Sequence, residues 1–405
     1  MIKGFISIKN IFSSLHSRNY RIFFIGQGVS LIGTWIQNIA LSWLVYRLTG
    51  SVFLLGLVGF TNQIPTFILS PFAGVLSDRY NRKKIMILAQ LFFLLQALIM
   101  ALLVLTDTIE VWHIITLSLV FGLISAFDAP ARQSLVIDLI DKPEDLGNAI
   151  ALNSAIFNGA RLIGPAIAGL TIAAFGEGIC FLLNTLSFVA IIVALLMIKI
   201  PVKQLSIHSS NFTKSFTEGL IYTFQSVQIR TLILLLAILS LVGYPFMILL
   251  PAYAKEILSG SSDTLGFLMS ALGAGALAGA IYMAGRKSLT GLNKIISVNI
   301  CLFGLAIILT SFSEKVPYSL VLLFFGGLSM ILSLAAINTV IQTVADEDKR
   351  GRVMSFYAMA LMGTQPIGNL LAGTVASGIG IPLTFLIGGV ITVLSGICFG
   401  FKKEL

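Results

Sequence analysis

Gly74-Val75-Leu76-Ser77-Asp78-Arg79-Tyr80-Asn81-Arg82-Lys83-Lys84 is the stretch whose reading decides the fold. It joins two apolar runs, roughly residues 52–77 and 85–106, each long enough to cross a bilayer. The connection is short. Arg79, Arg82, Lys83 and Lys84 carry positive charge and Asp78 carries negative charge. Basic residues between two spans mark the cytoplasmic side of a membrane. An anchor of that kind needs cations, but it does not need Gly74 or the carboxylate of Asp78 at set positions.

Composition points the same way. The chain has 405 residues, is 57% hydrophobic and 11% charged, and has a mean hydropathy of +0.98. A soluble domain carries about 25% charge. The net charge of +9 is spread over connections between spans rather than gathered on a soluble face, so no nucleic-acid partner is expected. Cys180, Cys301 and Cys398 lie in separate apolar runs with neither metal spacing nor a pairing pattern. His16, His113 and His208 fall at predicted interfaces or in the central linker. No H-x-x-x-H, phosphate loop or nucleophile elbow occurs. The chain is therefore read as no enzyme, with no metal and no cofactor. Residues 1–20 are polar and basic and run into a full span, so no cleavable leader is read.

Twelve spans are expected, at approximately 20–46, 52–77, 85–106, 111–137, 149–174, 179–199, 230–254, 264–285, 292–312, 317–344, 352–378 and 382–401. The predicted fold class is an all-α polytopic membrane protein of two pseudo-symmetric six-helix bundles. Most of the 26 Lys and Arg residues fall on one side of the spans. Only Arg47, Lys255 and Lys315 fall on the other. This bias places both termini in the cytoplasm. Segment 200–229 separates the halves, 1–199 and 230–405. It is Ser-rich through Ser209 and Ser210 and turns amphipathic from about Phe212 to Phe224, as an interfacial helix does.

The halves repeat. Arg161-Leu-Ile-Gly164-Pro165-Ala-Ile-Ala168-Gly169 aligns with Gln365-Pro-Ile-Gly368-Asn369-Leu-Leu-Ala372-Gly373, and the same offset pairs Leu146-Gly147-Asn148 with Arg350-Gly351-Arg352. Weak repetition of this sort is expected of duplicated six-helix halves. It also moves a boundary. Hydropathy alone ends the fourth span near Phe127, but its counterpart stays apolar through Ala336. Asp128 and Arg132 are thus placed inside the fourth helix, one turn apart and able to pair. Pro130 between them loosens that helix.

Charged residues inside spans are rare and mark function. Arg161, Asp128 and Arg132 are the ones here. Asp128 is the candidate proton carrier, with a structural ion pair as the alternative use. Polar and aromatic residues on core helices mark a candidate substrate cavity. Gln27, Thr34 and Asn38 form one stripe of the first helix, flanked by Trp35 and Trp43. Asn62 and Gln63 precede Pro65, and Tyr244 precedes Pro245. Asn338 and Gln342 sit four apart, as do Gln365 and Asn369. Neutral amides, rings and one cation suit a bulky amphipathic solute, an anionic one included. Each of these residues also has an alternative use in helix–helix hydrogen bonding.

The opening stretch closely resembles the loop between helices 2 and 3 of the major facilitator superfamily, roughly G-x-L-x-D-R-x-G-R-K. Gly74, Leu76, Asp78, Arg79, Arg82 and Lys83 match. Asn81 replaces a glycine, and Asn tolerates the left-handed conformation. By topology the eleventh span begins near Gly351 with the positive end of its dipole, where a docked Asp78 would hold the halves shut by roughly 0.3–2 kcal/mol, with Arg352 as a further partner. Ala160-Arg161-Leu-Ile-Gly164-Pro165-Ala-Ile-Ala168-Gly169 resembles the fifth-helix motif of exporters, roughly G-x-x-x-G-P-x-x-G-G. Gly164, Pro165 and Gly169 match it, and Ala160 and Ala168 replace glycines.

More particular stretches are similar to the transmembrane secretion effector branch. They are Arg18-Asn-Tyr-Arg-Ile-Phe-Phe-Ile-Gly-Gln27, Asp128-Ala-Pro-Ala-Arg-Gln133, Leu146-Gly-Asn-Ala-Ile-Ala-Leu-Asn-Ser154, Arg161-Leu-Ile-Gly-Pro165 and Arg350-Gly-Arg-Val-Met-Ser355. The branch is similar to enterobactin exporters and macrolide efflux proteins. The resemblance implies a proton-driven exporter in the bacterial inner membrane, and the leading expectation is alternating-access export of a siderophore or lipophilic drug by a monomer. Residues 112–127 lack the arginine that many proton antiporters carry early in the fourth helix, which shifts attention to Asp128, Arg132 and Arg161. A lipid or lysophospholipid translocase is the alternative reading.

Overall fold

In lipid the backbone must satisfy its polar groups internally, by helices or by a closed barrel, and apolar runs of about 20 residues suit the helix. The computed structural model is helical throughout among the described residues. These are residues 12–199, 212–286, 288, 290–347 and 349–401, with the side chains at 70, 71, 74–79 and 212–216 excepted. The helices are α1 Arg18–Thr49, α2 Val52–Arg79, α3 Arg82–Leu105, α4 Val111–Asp138, α5 Leu146–Phe175 and α6 Glu177–Met197. The amphipathic stretch forms α7, Phe212–Gln225. Then follow α8 Val227–Ile257, α9 Ser262–Gly285, α10 Leu292–Ser311, α11 Val316–Val344, α12 at 350–379 and α13 Ile381–Gly400. Eleven of the helices among the described residues are long and apolar enough to cross a membrane. The eleventh span of the sequence is α12, broken by a π turn at Met359–Gly363. Every span lies within a few residues of its expected place.

Contacts divide the chain into two compact units, Met1–Ala40 with Ile68–Ile207 and Leu41–Phe67 with His208–Leu405. In the first, α3 packs on α4 and α6. Phe93 stacks on Phe188 at 5.4 Å and also meets Phe121, in a core closed by Tyr20, Met86 and Leu195. In the second, α10 packs on α11 and α13, the equivalent arrangement. Its aromatic centre is Phe246, Phe303, Phe385 and Tyr253.

The repeat read from sequence has a direct structural form. Gly164 of α5 lies on α1, where a Cβ would sit 2.5 Å from the Trp35 Cβ. Its counterpart Gly368 of α12 lies on α8, where a Cβ would sit 2.4 Å from the Leu241 carbonyl oxygen. The turns that follow α5 and α12 each rest on a glycine at positive φ, Gly176 at 81° and Gly380 at 85°. A side chain there would be strained.

Asn81 is not left-handed. Its φ is −64°, and its side chain caps α3 by accepting from the Lys84 N–H at 3.2 Å. Capping is the physical reason an Asn serves at that position. The hairpin 41–67, assigned by sequence to the first half, packs with the second unit. Gly56 of α2 crosses Gly373 of α12 there, with no side chain between the backbones.

Candidate functional site

In the first unit, α4 continues unbroken past Pro130 to Asp138 and carries both Asp128 and Arg132. Asp128 is 6% exposed. Its carboxylate accepts from Gln90 Nε2 of α3 at 2.8 Å and lies 3.6 Å from Arg132 Nε. Gln90 Oε1 is buried and meets no donor among the described residues. The site is a carboxylate that the protein has largely removed from water, held by one amide and one guanidinium. Neighbouring cations are tied down. Arg82 Nη1 bonds Asp138 at 2.9 Å and Lys83 Nζ donates to the Ile198 carbonyl at 2.7 Å. These bonds fasten the start of α3 to α4 and to the end of α6. The side chains of Asp78 and Arg79 lie outside the described residues.

Arg161 of α5 stands over the Trp35 ring, with Cζ 5.8 Å from its centroid, and Phe157 meets the same ring edge-on at 6.3 Å. A cation over an indole face is attracted by its quadrupole. Gly164 makes the approach possible, because any larger residue would displace Trp35. Pro165 is buried and α5 runs through it. Thr34 donates to the Ser30 carbonyl at 2.9 Å, Asn38 is half-buried, and Gln27 is buried with its Oε1 facing no donor among the described residues. A further buried chain joins Gln96, Gln37 and Asn184. Gln37 donates to Gln96 at 3.1 Å, and Asn184 donates to Gln37 at 2.7 Å.

In the second unit the polar residues gather where helices lose regular winding. α8 contains π turns at Leu239–Gly243 and Tyr253–Ile257. α12 contains its own at Met359–Gly363. π turns leave carbonyls without helical partners and recur at functional sites. Ser240 Oγ, in one such turn, donates to the Leu361 carbonyl in another at 2.5 Å. Tyr244 is buried against Phe303. Gln342 donates to Asn338 at 2.6 Å within α11. Asn62, Gln63 and Gln365 are half-buried. Asn369 is buried at the α2–α12 crossing, within reach of Gly56 and Gly59. Arg352 donates to Glu218 of α7 at 2.8 Å. On the end of this unit away from the basic connections, Tyr46 donates to Glu256, and Lys255 lies 5.6 Å from the Tyr46 ring.

A family model described as transmembrane secretion effector matches residues 9–403. The chain belongs to the transmembrane secretion effector family. This transmembrane secretion effector is a multi-pass membrane protein of the major facilitator fold. It is similar to the staphyloferrin A transporter of Staphylococcus aureus, 26% identical over 94% of this chain and 95% of that one. It is also similar to the multidrug efflux pump Tap of Mycolicibacterium fortuitum, 24% identical over 92% and 93%. Among solved structures it overlays a bacterial homologue of the iron transporter ferroportin in an inward-facing state. That match has a TM-score of 0.72, covers 95% of this chain and 99% of that one, and at 18% identity concerns the fold alone.

Three features of this secretion effector escape sequence reasoning. Gln90 and Gln96 are lone amides in the otherwise apolar α3, a signal available in the sequence once buried polar atoms are required to find partners. Glu256 sits at the end of a span, where charge draws no attention. The α7 contact through Glu218 has no sequence signal, because it joins residues far apart in the chain.

Proposed function

We propose that this transporter is a secondary exporter, coupled to protons, that expels an amphipathic siderophore or lipophilic drug across the bacterial inner membrane by alternating access. On this reading both termini are cytoplasmic, the chain acts as a monomer, and the halves 1–199 and 230–405 are its moving parts. The observation that carries the coupling is Asp128, a 6% exposed carboxylate whose partners are one amide and one arginine. Arg161 over Trp35 is the cation for an anionic group of the solute, with Thr34 and Asn38 alongside. Within the second unit, Asn338, Gln342 and Gln365 are its own candidate neutral contacts. The names of the relatives support transport of a siderophore and efflux of drugs.

The test uses inverted membrane vesicles with an imposed proton gradient and a pH-sensitive dye. Siderophores, macrolides and cationic dyes are added to wild type and to Asp128→Asn. Collapse by one class in wild type alone is the expected result. Equal collapse in both variants would remove Asp128 from the coupling path. No collapse by any class, with uptake of labelled compound also absent, would overturn export of these solutes.

A further inference from the structure

We infer that the groove between α8 and α13 at the basic end of the second unit is a binding site for an anionic phospholipid of the surrounding leaflet. Arg230 would hold the phosphate and the apolar walls one acyl chain. The groove has a volume of about 350 Å³, and its walls include Leu234, Ile238, Ser395, Cys398 and Phe399, with Arg230 at its end. The α8 residues recur on one helix face. From Arg230 to Ile238 they cover about 12 Å, most of the hydrocarbon depth of one leaflet, about 15 Å. An acyl chain therefore fits along the groove with its headgroup at Arg230.

The charge at the mouth selects the occupant. Arg230 lies in the first turn of α8, which starts at Val227, and it is exposed. Nη1 donates to the Phe224 carbonyl at 3.3 Å, and among the described residues no carboxylate pairs with it. A guanidinium has five N–H donors in a fixed fork that matches a phosphate. The remaining donors meet no acceptor among the described residues. Ser395, the polar residue of the opposite wall, spends its hydroxyl on the Ile391 carbonyl at 2.7 Å. Thr231 adds a hydroxyl to the lining beside Arg230, the walls beyond it accept any acyl chain, and discrimination by charge falls to Arg230. A free phosphate would leave those walls uncovered, so the ligand is a lipid and not its headgroup alone.

The test is native mass spectrometry of the full chain in mild detergent, with dioleoyl phosphatidylglycerol competing against dioleoyl phosphatidylcholine. Wild type is expected to retain the anionic lipid about fivefold better, the effect of one surface cation on an anionic lipid. Arg230→Gln should bring that ratio to about one, and Arg230→Lys should keep part of the preference. Lys142→Gln removes the same charge from an exposed site in the first unit and should leave the ratio unchanged. Cys398, exposed in the groove wall, supplies a second readout. Phosphatidylglycerol should slow its reaction with a maleimide in wild type and not in Arg230→Gln. Equal retention of the two lipids by wild type would overturn the site. So would an equal fall in Arg230→Gln and Lys142→Gln, or retention of the anionic lipid with Cys398 as reactive as before.

Discussion

Gly56→Ala tests whether the α2–α12 crossing opens during transport. A Cβ on Gly56 would lie 2.5 Å from the Asn369 carbonyl oxygen and 3.0 Å from the Gly373 Cα. Ordinary contact is about 3.5 Å, so the helices must part by about 1 Å. The obstructing atoms are backbone, so no rotamer change relieves the clash. Overpacking of this kind costs about 1–3 kcal/mol. If the crossing forms in one transport state and breaks in another, that cost falls on one state, and the equilibrium moves by about 5–150-fold. Gly275→Ala is the matched control. Its Cβ would lie 1.8 Å from the Phe324 carbonyl oxygen, in the packing of α9 on α11 within one bundle. That cost should fall on the fold and lower the melting temperature. The assay is reaction of an Asn62→Cys reporter, in a chain otherwise free of cysteine, with an impermeant maleimide added on the side away from the basic connections. Gly56→Ala should raise the rate at least several-fold with little change in melting temperature, and Gly275→Ala should do the reverse. An unchanged rate together with an equal loss of melting temperature in both variants would show the crossing to be static and would refute the reasoning.

Other outcomes follow from the same geometry. Arg161→Gln should raise KM for an anionic siderophore by about tenfold or more, the value of a lost charge-assisted hydrogen bond, while transport of cationic dyes is little affected; labelled-substrate uptake into inverted vesicles reads both. A double-mutant cycle on Glu218→Ala and Arg352→Ala should give a coupling below about 1 kcal/mol in thermal unfolding, because both side chains are partly exposed and screened by water. Tyr46→Phe removes the donor to Glu256 and should accelerate labelling of the same Asn62→Cys reporter by less than about fivefold, the worth of one hydrogen bond at a partly exposed site.

The amino-acid sequence alone determined the twelve spans and their limits. A bilayer demands unbroken apolar runs of fixed length, and that demand is written residue by residue. It also determined local pairings. Asp128 and Arg132 meet because they are one turn apart on a helix, and their placement inside α4 came from the repeat with α11. Gly164 and Gly368 were legible as equivalent contacts for the same reason. The partners that cross between helices were decided only by the tertiary structure. They include Gln90 for Asp128, Glu218 for Arg352, Glu256 for Tyr46, and Gly373 for Gly56. In water a polar face and an apolar face reveal which way a helix points. In a membrane both faces are apolar, so periodicity does not say which side meets protein and which meets lipid. That choice is made by the fit of small residues such as Gly56, Gly164 and Gly373 against a neighbouring backbone, which exists only once the helices have packed.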